Sequence, residues 1–332
     1  MSSNSLRDNV KPITTSAHVV TACWLQDKAA LALADGTIVL SNGIEDAHTL
    51  EAHPDGAVLV GHSDGSRLLT GGDDGRIVSC DTSGNIKEVA LKQGRWIDAV
   101  AAKADGSFAY SSGKDVFAND GKGKEKTLSV PSSARGLAFA PKGHRLAISH
   151  YNGVTLWFPN IEGTPDILEW KGSHLDVVWS PDGRFVVTSM QESALHGWRL
   201  QDKNHMRMTG YPSKTRSFSW SSDGKWLATS GADAAIVWPF DSKDGPMGKQ
   251  PRECGVRPAR VSCVSFHPRA LVLAVGYEDG CILLVRFTDA SELLVRAETK
   301  GSAVTALAWD KLGMKLVYGC EDGQAGILTL PS

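Results

Sequence analysis

The chain has 332 residues, with 35 Lys and Arg against 37 Asp and Glu and a formal net charge of −2. That balance supplies no bulk attraction for nucleic acid or for an acidic membrane surface, so neither is expected as a partner. No apolar run approaches the roughly 18–20 residues that span a bilayer, and the start, MSSNSLRDNVKPITTS, lacks the apolar stretch of a signal peptide; a cytoplasmic location is expected.

Taken in chain order, NVKPITTSA (9–17) reads as one short strand, with Pro12 suited to an outer edge where an amide can face solvent. Beyond it the chain repeats. Short apolar runs reach an anchor at Trp24, Gly61, Ala102, Phe139, Trp179, Trp220, Phe266 and Trp309, and each leads to a turn at Asp35, Asp74, Asp115, Asn152, Glu192, Asp233, Asp279 and Asp322. The interval is 13 residues in seven units and 11 in the first, and successive turns lie 39, 41, 37, 40, 41, 46 and 43 residues apart. A four-stranded propeller blade has a period of roughly 40–45 residues.

Within a unit, DVVWSPDGRFVVTS (176–189) and SFSWSSDGKWLATS (217–230) read as strand, Asp-Gly turn, strand, and a third strand follows in HYNGVTLWFP (150–159) and GADAAIVWPF (231–240). No run has sustained helical spacing. The 46-residue interval holds DSKDGPMGKQPRECGVRPAR (241–260), expected to give the sixth unit's outer strand and a mobile loop. The last unit, 304–330, has three strands before the chain stops, and residues 9–17 are expected to supply the fourth. The expectation is an all-β chain forming a single closed β-propeller. Eight four-stranded blades are favoured, with seven as the runner-up; residues 1–17 form the closing strand and 18–332 the propeller.

The turn-to-Trp spacing resembles that of the WD-repeat β-propeller family, over essentially all of residues 9–330. An acidic or amide turn residue precedes a Trp by five or six positions at Asn152 to Trp157, Glu192 to Trp198 and Asp233 to Trp238. Elsewhere that Trp is replaced, by Cys80, Val285 and Leu328, and the family's upstream His is matched only by His18, His53 and His174. The resemblance implies a face, around a central channel, built from the loops that lead into the innermost strands and from the second turns.

P-loop, HExxH and paired CxxC motifs are missing. Adjacent carboxylates at 73–74, 278–279 and 321–322 fall on one repeat position, where Asp caps a turn. His53 with His62, or His267 with Cys254 and Cys263, make partial metal sets without close ligand spacing, so no metal or cofactor is expected. The six cysteines, Cys23, Cys80, Cys254, Cys263, Cys281 and Cys320, are expected as free thiols, and Trp24, Trp179, Trp220 and Trp309 as packing between blades.

The loops leading into the innermost strands carry Arg95 and Trp96 in the third unit, Arg135 in the fourth, His174 in the fifth, Lys214 and Arg216 in the sixth and Arg260 in the seventh. Arg and Trp are the commonest binding hot spots, and a guanidinium fits carboxylate or phosphate through its planar fork. These seven residues are the expected partner site. The competing structural reading pairs the Arg residues with the turn acids Asp74, Asp115, Asp233 and Asp279. The expected function is a non-catalytic scaffold, not an enzyme, that binds a protein or acidic peptide and is monomeric as a fold unit. The alternatives are a propeller that binds a small anion or a transition metal and, further off, a propeller hydrolase.

Overall fold

The computed structural model describes residues 5–331. Strands dominate, one short 3-10 turn at Arg7–Asn9 being the only helical element among the described residues, and none of these forms a helix long and apolar enough to cross a membrane. Two compact units are present. The first holds Met1–Val58, Asp81–Ile86 and Arg216–Ser332, and the second holds Leu59–Cys80 and Lys87–Thr215.

In the first unit, three antiparallel sheets run strand after strand in chain order. They are Val19–Leu25 through His48–Glu51, Phe218–Trp220 through Arg252–Cys254, and Val261–Phe266 through Glu292–Arg296. Residues 241–260 thus supply the strand Arg252–Cys254, preceded by turns. The fourth sheet is built from both ends of the chain: Val304–Trp309, Lys315–Cys320 and Gln324–Thr329, then Val10–Thr14 as its edge. That edge strand pairs antiparallel in the register Val10 to Leu328 and Thr14 to Gln324. Upstream, the Leu6 amide donates to the Leu294 carbonyl at 2.7 Å, and Leu6 packs with Val295, Tyr318 and Leu328. Residues 1–4 of the expected closing segment lie outside the described residues.

The second unit holds most of the sheet Val58–Ser63 through Ile86–Leu91, the sheet Ala99–Ala102 through Glu125–Ser129, and one sheet of six strands from Gly136–Phe139 to Asn204–Met208. That last sheet overturns the expectation of eight blades: seven sheets form, because the fourth and fifth sequence units share one. Leu146–Trp157 runs on as a single strand through Asn152 and Gly153, both at positive φ, with a register shift between Tyr151 and Gly153. Asp166–Trp179 likewise continues through Gly172 and pairs with Leu146–Trp157 on one side and Phe185–Met190 on the other.

Second strands of the units, such as Lys28–Leu33, Phe185–Met190 and Lys315–Cys320, are buried along almost their whole length. They lie inside stacked sheets and so read as continuous apolar runs. Last strands, such as His48–Glu51 and Glu125–Ser129, are mostly exposed. Three anchor indoles also bond to the next sheet or ladder. Trp24 Nε1 donates to the Ala308 carbonyl at 2.9 Å, Trp309 to Ser265 at 3.1 Å and Trp179 to Ala138 at 2.9 Å. Each acceptor sits one residue before another unit's anchor, so the shared 13-residue register has a bonding counterpart. Trp220 differs: its buried Nε1 has no partner among the described residues, and its ring packs edge-on against Phe240.

The turn acids cap backbone. Asp35, Asp74, Asp279 and Asp322 each accept the amide two residues on, at 3.0–3.1 Å, which is the local bonding that makes Asp a turn former. The Gly that follows Asp74 has φ +79, and a Cβ there would strike the carbonyls of Lys92 and Arg95. Gly75→Ala is therefore expected to cost about 2 kcal/mol or more of stability, from a disfavoured backbone conformation plus the clash. Urea denaturation checks this, and an unchanged midpoint would contradict it.

Candidate interaction surface

In the second unit, the connection from Ile86–Leu91 to Ala99–Ala102 is pinned at short intervals. The Lys92 amide donates to Gly75 O at 2.9 Å, Arg95 to Lys92 O at 3.1 Å, Ile97 to Gly72 O at 3.1 Å and Asp98 to Ser111 O at 2.9 Å. Ile97 is fully buried beside Leu69 and Ile77. Successive side chains then have to point apart, and Trp96 is left 67% exposed.

Two carboxylates, Asp98 at the end of this connection and Asp115, hold two guanidinium groups. Asp115 Oδ2 accepts from Arg95 Nη1 at 2.9 Å, and its other oxygen accepts the Ser129 hydroxyl at 2.6 Å. The Ser129 hydroxyl first, and Arg95 second, keep the Asp115 carboxyl below its ordinary range. Asp98 accepts the Gly113 amide at 2.7 Å and lies 3.4 Å from Arg135 Nη1. The Asp side chains are about four-fifths covered, whereas those of Arg95 and Arg135 are 51% and 54% exposed. Each guanidinium uses one nitrogen on its carboxylate, so the rest of the fork faces solvent. The structural reading is met at Arg95, whose partner is the turn acid Asp115, whereas Arg135 is tethered by Asp98 instead; both guanidinium groups stay half exposed.

Arg95, Trp96, Asp98, Lys114, Asp115 and Ser133 line a shallow cavity of about 460 Å³. Beside the lining residue Ser133, the Ser132 hydroxyl accepts the amide of Tyr151, which is 57% exposed, at 2.8 Å. Lys114 and Tyr151 were missed by reading the connections alone. Each sits one residue before a turn position, as do the exposed Gln191 and Glu278, so the repeat register could have found them.

The other expected site residues divide. Lys214 Nζ is 3.4 Å from Gln191 Oε1. His174 is not at the surface: it is fully buried, with Nδ1 2.7 Å from Thr188 Oγ1 and Nε2 3.0 Å from Trp170 O. It lies there because Asp166–Trp179 runs on as a strand where the sequence suggested a connecting loop. In the first unit, Arg216 and Arg260 are exposed. Arg260 borders a separate cavity of about 540 Å³ with Glu278, Glu298 and Lys300. There the turn acid is held by a residue the sequence reading passed over, Arg257, 2.8 Å from Asp279 and 3.0 Å from Glu298.

Among the described residues no group of three or more His, Cys, Asp or Glu is arranged to hold a metal ion. His267 is engaged by backbone at both ring nitrogens, with Gly313 O at 2.9 Å and the amides of Arg269 and Ala270 at 3.0 Å. All six cysteines are free thiols and five are buried. Burial pushes Cys254 and Cys281 up to about 11 and Cys263 to about 12.

Residues 45–81 and 203–238 match the family described as WD domain, G-beta repeat, and residues 264–332 match the Anaphase-promoting complex subunit 4 WD40 domain. The chain is a WD-repeat protein. Among curated relatives, this WD-repeat chain is 30% identical to WD repeat-containing protein 1-B of Xenopus laevis over 34% of its own length and 19% of the relative. It is 27% identical to Cell division cycle 20.1, cofactor of APC complex, of Arabidopsis thaliana, over 49% of the chain and 37% of the relative. It is 28% identical to Telomerase protein component 1 of Mus musculus, over 61% of the chain and 8% of the relative. The chain thus spans less than two fifths of the length of these relatives. Among solved structures, the computationally designed Ika8 protein matches with a TM-score of 0.76 at 17% identity, over 96% of this chain and 98% of the other, a likeness of fold alone.

Proposed function

We propose that this WD-repeat chain is a non-catalytic interaction platform of the cytoplasm that takes an acidic protein segment on the surface around Trp96. The observation that carries the reading is the pairing of a 67% exposed Trp96 with two guanidinium groups that largely covered acids orient and leave half open. A flat indole provides apolar area at little entropic cost, and the open forks accept carboxylates. The turn carboxylates that an enzyme could have used are committed to backbone amides, which favours a scaffold over a catalyst. Fold supports this only by analogy; the site carries it.

Affinity capture tests the reading. The wild-type chain is compared with a Trp96→Ala/Arg135→Ala variant of matching melting temperature, on extract from the native cell. A protein retained by the wild type and depleted at least about tenfold by the variant, as loss of a hot spot of about 2 kcal/mol or more implies, is the expected result. Equal retention of every bound protein would refute it.

A further inference from the structure

Two imidazoles in the six-stranded sheet are not accounted for by the fold. Buried histidines elsewhere in that sheet have both ring nitrogens bonded: His150 contacts Tyr151 O and Thr155 Oγ1, each at 2.8 Å, and His174 contacts Trp170 O and Thr188 Oγ1. His196 is fully buried, yet neither of its ring nitrogens has a hydrogen-bond partner among the described residues. A buried polar group left so is costly, and such a group in a folded protein calls for a specific reason.

Its neighbour supplies one. His205 lies on the adjacent strand, exposed to solvent, with its ring centre 5.2 Å from that of His196 and the two rings inclined by only 23°. Trp170 covers both, 4.2 Å from His196 and 4.7 Å from His205. The two imidazole rings are thus near-parallel neighbours, and one indole lies against both. Two imidazoles that share a cation through bonds of about 2 Å hold their ring centres roughly 5–6 Å apart.

We propose that His196 and His205 form a two-histidine site for a transition-metal cation of the Cu(II) or Zn(II) kind, roofed by Trp170. Imidazole suits these metals, and with two nitrogen ligands Cu(II) is held the tightest of the divalent first-row ions. The solvent-facing His205 gives the route in. No third His, Cys, Asp or Glu joins the pair among the described residues, so the remaining positions belong to water and the site is an exchangeable one. Burial first, then His205, His174 and Arg207, keep His196 neutral, the form that ligates, so protons do not compete for it near neutral pH.

The test is titration of the full chain with Cu2+ alone, followed by tryptophan fluorescence and by calorimetry. The wild type should show quenching that saturates at a single equivalent. His205→Ala, at an exposed edge position where the fold tolerates truncation, should raise the half-quenching concentration by at least about tenfold, about 1.4 kcal/mol. Trp170→Phe should keep the calorimetric binding and lose part of the quench, the rest coming from Trp198, 4.7 Å from His196, which separates this site from copper held elsewhere on the chain. A control at the exposed His48, His48→Ala, should titrate as the wild type. The proposal is overturned if His205→Ala titrates like the wild type, if Trp170→Phe leaves the quench intact, or if the wild type shows no saturable quench into the hundreds of micromolar.

Discussion

Deleting residues 1–17 is expected to lower the melting temperature by roughly 5 °C or more, or to abolish soluble expression. The deletion removes the five-residue ladder to Gln324–Thr329 and the buried side chains of Leu6 and Ile13. Burying each such side chain contributes about 1.5–3 kcal/mol. It also uncovers Ala325, Ile327 and Leu328, which are almost fully buried in the intact chain, and leaves a long unpaired edge. Recovered chain entropy offsets part of this. At about 2 °C or more per kcal/mol for a domain above 150 residues, a net loss of a few kcal/mol gives the stated shift. An unchanged calorimetric melt would show that the edge strand is dispensable.

Acid is expected to weaken the second unit before the first. Burial is the leading cause lowering His62, His144, His150, His174 and His196, and all five lie in that unit. His196 moves from 6.5 to about 3. A base whose folded value is depressed binds its proton more readily when unfolded. Its contribution is therefore complete above about 6.5 and is lost as pH falls toward about 3. For His196 alone the loss between pH 7 and pH 4 is about 3 kcal/mol. Replacing it with a ring that does not titrate, His196→Phe, should remove about one proton from the pH dependence of unfolding over that range. Hydrogen exchange at pH 5 should show peptides from residues 87–215 losing protection first. Equal pH slopes for the variant and the wild type, or first opening in residues 216–331, would contradict the assignment.

The turn register, the Asp caps and the packing of Trp24, Trp179 and Trp309 were legible in the sequence because each depends on residues within one or two positions of the turn or anchor. The sheet count was not. It turns on whether the backbone at Asn152, Gly153 and Gly172 breaks a strand or carries it through at positive φ, and Gly permits both. The same ambiguity misplaced His174, which sits two residues beyond Gly172. For the candidate surface, residue types along two connections were enough to find Arg95, Trp96 and Arg135. Asp98 lies on the first of these connections but was passed over as an acid, and Lys114 comes from a turn and meets them only through the ladder register. His196 and His205 are nine residues apart in sequence and meet across a two-strand turn, a spacing that no short metal motif describes.

Photo-crosslinking from the surface itself tests the central claim most directly. A benzophenone side chain is placed at Trp96 in one protein and at Ile161, an exposed apolar position outside the cavity, in another. Both are irradiated in native extract. A partner captured from position 96, absent from position 161 and attached through a segment rich in Asp and Glu is the predicted result. The same proteins captured from both positions, or attachment through a basic or neutral segment, would contradict the interaction surface assigned to Trp96, Arg95 and Arg135.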